Sequence, residues 1–110
     1  MNWKDELSTS GANIKTFRQS QPDTGAGFTA LHDAAMAPGA VGVKEKELIA
    51  LAIGIAKQCI DCIGFHMKAA LRAGATREEI AETISVAVMM GGGPALMYGA
   101  KAMEAYDQLS

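Results

Sequence analysis

The sequence predicts an all-α, single-domain bundle of about six helices, and three observations carry that expectation. The chain has 110 residues, enough for one compact unit with a moderate core. Hydrophobic residues make up 49% of it but aromatics only 5%, so the apolar content is mostly Ala, Ile, Leu, Val and Met, which suits closely packed helices. Apolar positions recur at three, four and seven residues along most of the chain. The expected domain is 1–110, with a core over 43–100 and N-terminal helices in 1–42.

Trp3, Leu7, Ile14 and Phe17, spaced four, seven and three apart among charges, predict an amphipathic helix over 3–18 interrupted near Gly11. Ser20-Gln21-Pro22-Asp23-Thr24-Gly25 reads as a turn cluster. Phe28, Leu31, Ala35 and Met36 then form the stripe of a short second helix, ended by Ala37-Pro38-Gly39. His32 falls at the flank of that stripe and reads as a partly exposed polar residue.

Lys44-Glu45-Lys46-Glu47 opens a third helix without a strong N-cap, placing acidic residues where the helix dipole favours them. Leu48 to Ala56 is apolar all round, so this helix should be central and covered on every side, with Gly54 admitting another backbone. So short a chain supplies too little cover for it, and other copies are expected to supply the rest: the protein should be a homo-oligomer.

Ile60 to Ala73 forms the fourth helix, with Phe65, Ala69, Ala70 and Ala73 towards its packed side and Gly74 closing it. Thr76-Arg77-Glu78-Glu79 is a capping box, followed by Ile80, Ile84, Ala87 and Val88 on one face of a fifth helix. Met89-Met90-Gly91-Gly92-Gly93-Pro94 breaks it. A last helix spans Ala95 to Leu109, with Leu96, Ala100, Met103 and Tyr106 near one side.

A net charge of -2 and ten scattered Lys and Arg argue against nucleic acid as a partner. No apolar run reaches the length of a membrane span, and the N-terminus carries charge where a signal peptide needs an apolar core, so a cytoplasmic protein is expected. Gly91-Gly92-Gly93 lacks the strand-glycine-helix context and the lysine of a phosphate loop and reads as a helix break. No cofactor is implied.

The chemistry gathers in Cys59-Ile60-Asp61-Cys62-Ile63-Gly64-Phe65-His66, which holds both cysteines and one of the two histidines. Separations of three, four and seven residues return to one helical face. Cysteines this close cannot staple a fold; their value is chemical. A helix N-terminus and a protonated His66 favour thiolate, whereas Asp61 and Glu47 oppose it as charges. Two thiols at this spacing can close a disulfide and form a two-electron couple, with His66 as general acid/base for Cys62. The rival reading is a zinc site of Cys59, Cys62 and His66, which needs His32 or Glu47 as a fourth ligand.

These residues resemble the carboxymuconolactone decarboxylase superfamily, in its alkylhydroperoxidase D-like branch. The resemblance rests on Glu47-Leu48-Ile49-Ala50-Leu51-Ala52, then Cys59-x-x-Cys62-x-x-x-His66, then Ala69-x-x-x-Ala73-Gly74-Ala75-Thr76-x-Glu78-Glu79-Ile80, and spans about residues 43 to 100. It implies an all-α fold with the C-x-x-C at the start of a core helix, and assembly as hexamers, favoured over trimers. It also implies a thiol peroxidase or disulfide oxidoreductase that acts on a hydroperoxide or disulfide and is recycled by a thiol reductant. By resemblance Glu47, Cys59, Cys62 and His66 form a proton relay in which Cys62 meets peroxide and Cys59 resolves it. Asp61 stands where the best-studied members carry a histidine, implying weaker peroxidase activity or another substrate. Lactone decarboxylases of the superfamily generally lack the C-x-x-C, which makes decarboxylation the lesser alternative.

Overall fold

The computed structural model describes all 110 residues. It contains six helices and no strand: α1 (Trp3–Ser20), α2 (Pro22–Met36), α3 (Val43–Ala56), α4 (Ile60–Arg72), α5 (Arg77–Gly91) and α6 (Gly93–Leu109). No helix is long and apolar enough to cross a membrane.

The N-terminal helices depart from expectation. α1 runs unbroken through Gly11, because the turn-by-turn hydrogen bonds continue at a cost of only about 1 kcal/mol for an exposed helical glycine. Asn2 caps it by accepting the Asp5 N–H. The expected turn shrinks to Gln21, since Pro22 occupies the first position of α2, where its fixed φ suits a helix and its missing N–H costs nothing. Phe28 and Leu31 do not pack inward but are 61% and 65% exposed. The reason is that α2 touches only α1 and α3, leaving its outer face with nothing to lean on within one chain.

α3 is central, as its composition demands, packing on α4, α5 and α6. Leu51, Gly54 and Ile55 are buried. Cover is not complete within one chain, however, because Ile49 and Ile53 remain 52% and 53% exposed. Lys46 reaches back from α3 to donate to the carbonyls of Ala35 and Ala37, tying down the end of α2.

The core joins Leu51 and Ile55 to Ile63 and Met67 of α4, Ile80 and Ile84 of α5, small residues of α6, and Trp3. The packed stripe of α4 is Ile63, Gly64, Met67 and Ala70, so of the expected set only Ala70 is fully buried. Gly74, with φ of 93°, closes the helix in the left-handed region. The capping box of α5 is complete, with Thr76 and Glu79 exchanging side-chain to backbone hydrogen bonds. Gly92, with φ of 76°, makes the break before α6.

On α6 the buried residues are Ala95, Gly99, Ala102 and Ala105, and Leu96 is exposed. Close approach of α5 decides this: a Cβ on Gly99 would lie 2.6 Å from Ile84 Cγ2, so the interface takes the small residues and turns the larger ones outward.

Candidate active site

The sharp connection between α3 and α4 sets the geometry. Lys57 ends α3, Gln58 adopts φ of 59°, and the Cys59 N–H folds back onto the Gly54 carbonyl. Gln58 lacks the freedom of glycine, so this turn holds a non-glycine residue in the left-handed region.

Cys59 is the N-cap of α4, a position usually taken by Ser, Thr, Asp or Asn. Its Sγ does the capping, accepting the Cys62 N–H at 3.2 Å. Cys62 lies in the first helical turn, and the two sulfurs are joined in a disulfide with their Cα atoms 5.2 Å apart. Both residues are half-buried. The expected close approach at Gly54 takes place here, since a Cβ on it would lie 3.1 Å from the Cβ of Cys62.

One helical turn beyond Cys62, His66 Nδ1 stands 2.7 Å from Glu47 Oε2 of α3. Glu47 is buried and His66 half-buried, so the pair is largely removed from water. With Nδ1–H donating to the carboxylate, the other ring nitrogen is the basic one. The fold thus brings all four expected residues, Glu47, Cys59, Cys62 and His66, to the α3–α4 hairpin. His32 is elsewhere, exposed on α2 beside Asp33. No three His, Cys, Asp or Glu side chains converge as a metal-ligand set.

One neighbour of the site was not anticipated. The Glu6 carboxyl of α1 is held above its ordinary range, first by the Asp61 side chain as a hydrogen-bonding neighbour, then by burial and by the negative charge of Asp61. Asp61 Oδ1 is buried with no donor of its own. Glu6 lies 55 positions before Asp61, and only the odd placement of an aspartate inside the C-x-x-C hinted that a partner was needed.

The sequence model of the carboxymuconolactone decarboxylase family matches residues 22–105. The chain belongs to that family. A carboxymuconolactone decarboxylase family protein from Legionella pneumophila, solved by crystallography, superposes with a TM-score of 0.95 at 44% identity, covering 98% of this chain and 96% of its own. A second crystal structure of the carboxymuconolactone decarboxylase family, from Thermotoga maritima, gives a TM-score of 0.85 at 26% identity, with 94% and 89% coverage. An involvement in the antioxidative response has been suggested for that protein. An uncharacterized protein of Cupriavidus necator is 38% identical over 107 residues, which are 97% of this chain and 95% of that one.

Proposed function

We propose that this member of the family is a thiol-dependent peroxidase or disulfide oxidoreductase cycling Cys59 and Cys62, in the manner of the alkylhydroperoxidase D-like branch. The observation that carries the reading is the Glu47–His66 pair, one turn from a disulfide-forming C-x-x-C at a helix start. In the reduced protein the relay takes the Cys62 thiol proton, and the thiolate attacks a hydroperoxide oxygen. The O–O bond breaks, releasing alcohol and leaving a sulfenic acid on Cys62. The Cys59 thiol displaces that hydroxyl as water, and a disulfide forms. An external thiol returns two electrons and restores the dithiol. With a disulfide substrate the attack falls on sulfur, and the leaving thiolate takes the proton. The suggested antioxidative link of the Thermotoga relative supports the same direction.

The test is hydroperoxide or disulfide consumption by reduced protein, with free thiols counted. Two thiols should disappear per chain in each turnover, and Cys62→Ser should abolish turnover. Equal activity in wild type and Cys62→Ser would sink the proposal.

The working unit we propose is a homo-oligomer, a hexamer ahead of a trimer. The open faces of α2 and α3, with Phe28, Leu31, Ile49 and Ile53 exposed, are the surface other copies would cover. Sedimentation at micromolar concentration tests it: a monomer ends the idea, and Ile53→Glu should shift an oligomer towards smaller species.

A further inference from the structure

The disulfide and the Glu47–His66 pair are covered on two flanks. Leu51 and Ile55 of α3 turn into the core, and α1 closes the start of α4, where Trp3 and Leu7 pack on Gly64. The third flank is open. Ala50 lies three residues after Glu47 and four before Gly54, so it shares their face of α3, between the residue that meets His66 and the residue that meets Cys62. Half-buried itself, Ala50 also lines a groove of about 300 Å³ with Ile49 and Ile53 of α3, Val41 of the preceding loop, and Ala35 and Met36 at the end of α2. The one charged side chain there is Lys46, whose ammonium donates to the carbonyls of Ala35 and Ala37. That anchor fixes the end of α2 as a wall of the groove and engages the charge.

We propose that this groove between α2 and α3 binds an unbranched hydrocarbon chain of the substrate, with Ala50 as the specificity-determining residue where the groove meets the site. The inference rests on the dithiol chemistry proposed above and adds no step to it. The chain lies along α3, and the peroxide or disulfide group at its end reaches past the small Ala50 methyl to Cys62. An apolar lining whose one charge is engaged offers a carboxylate, phosphate or sugar no free partner, whereas each methylene fully buried strengthens binding about fourfold. The volume is at the small end for ligand sites, which suits a short chain. Other grooves lack the connection. The wider one at Phe17 and Phe28 includes no residue of α3 or α4, and the one at Arg72 reaches Glu47 from the side away from the cysteines.

Methyl NMR of the oxidised wild-type chain decides, with ethanol, 1-butanol and 1-hexanol as probes, the alcohols left when the corresponding hydroperoxides are reduced. The methyls of Ala50, Ile49, Ile53 and Val41 should shift, and affinity should rise by about fourfold per methylene until the groove is full. Ala50→Leu should weaken hexanol binding about tenfold. Shifts confined to other methyls, or an affinity that ignores chain length, overturn the proposal. A copy of the chain lying on Ile49 and Ile53, as proposed above, would roof the groove; a copy filling it would leave these methyls silent, and that too overturns the proposal. If Ala50→Leu does not fold, the wild-type chain-length series still decides. In turnover, kcat/KM should climb from ethyl to hexyl hydroperoxide, and Ala50→Leu should flatten the climb through KM. Binding of the alcohols without consumption of peroxide or disulfide overturns the proposed function and leaves the groove standing as a chain-binding site. Consumption without any dependence on chain length overturns the groove alone.

Discussion

Gly54 of α3 and Cys62 of α4 meet so closely that a methyl group between them would be crowded, for a Cβ on Gly54 would lie 3.1 Å from the Cys62 Cβ and 3.5 Å from the Ile63 backbone nitrogen. The nearest atoms belong to the first turn of α4, which cannot swing aside as a flexible side-chain tip could. Gly54→Val should therefore destabilise the fold by about 1–3 kcal/mol, despite the better helix propensity of valine, because overpacking outweighs it. Urea unfolding measures this, and an unchanged midpoint would show that the hairpin yields freely.

His66 is expected to matter through its proton. His66→Ala should lower kcat/KM for the peroxide or disulfide substrate by about 100-fold or more, the usual scale of general acid–base catalysis. The loss should shrink as pH rises and the thiol ionises unaided. A pH-independent loss would mean that His66 serves only to hold Glu47 in place.

Acid should weaken the start of α5. The Glu79 carboxyl is held below its ordinary range, first by the hydrogen bond from Lys44 and next by the Thr76 backbone N–H. A lowered carboxyl pKa in the folded state adds stability that is fully present above the unfolded value and is lost as pH falls through the folded one. Wild-type Tm should accordingly drop across that window, and Glu79→Gln, which keeps an acceptor for the Thr76 N–H, should flatten the drop. Parallel pH curves for the two proteins would contradict the assignment.

Trp3 is the only tryptophan and is fully buried, so its emission reports whether α1 is docked. Gly64→Val places methyl groups where Leu7 and Trp3 now lie and should shift that emission to the red. A blue-shifted spectrum like that of wild type would mean that α1 repacks around the new side chain.

Gln58→Gly should stabilise the protein by up to about 1 kcal/mol by relieving a left-handed, non-glycine residue beside the disulfide. Chemical denaturation of the oxidised forms makes the comparison.

Local signals were legible in the chain where the partner of each residue is near in sequence. Thr76 and Glu79 cap each other, Gly74 and Gly92 take positive φ, and Leu51 and Ile55 are core, all as composition and spacing imply. The C-x-x-C and its helical register were readable in the same way, and the Glu47–His66 pairing came through resemblance. Tertiary choices were less visible. Phe28 and Leu31 have helical spacing, but spacing does not tell whether the apolar face meets its own chain. Ala95 and Gly99 replace the larger residues at the α5 interface because of how closely two helices approach, a distance no stripe encodes. Nothing in the sequence ties Glu6 to Asp61, because their approach depends on how α1 lies across α4.

Cys59 closes α4 through the same sulfur that bonds to Cys62, so the reactive atom is also part of the scaffold. The helix end and the electron store are one object. Breaking the disulfide therefore alters the surroundings of the Cys62 amide, whose hydrogen bond ends on that sulfur. Amide exchange at this one position becomes a clock for the redox state of the whole molecule, readable without substrate, label or mutation.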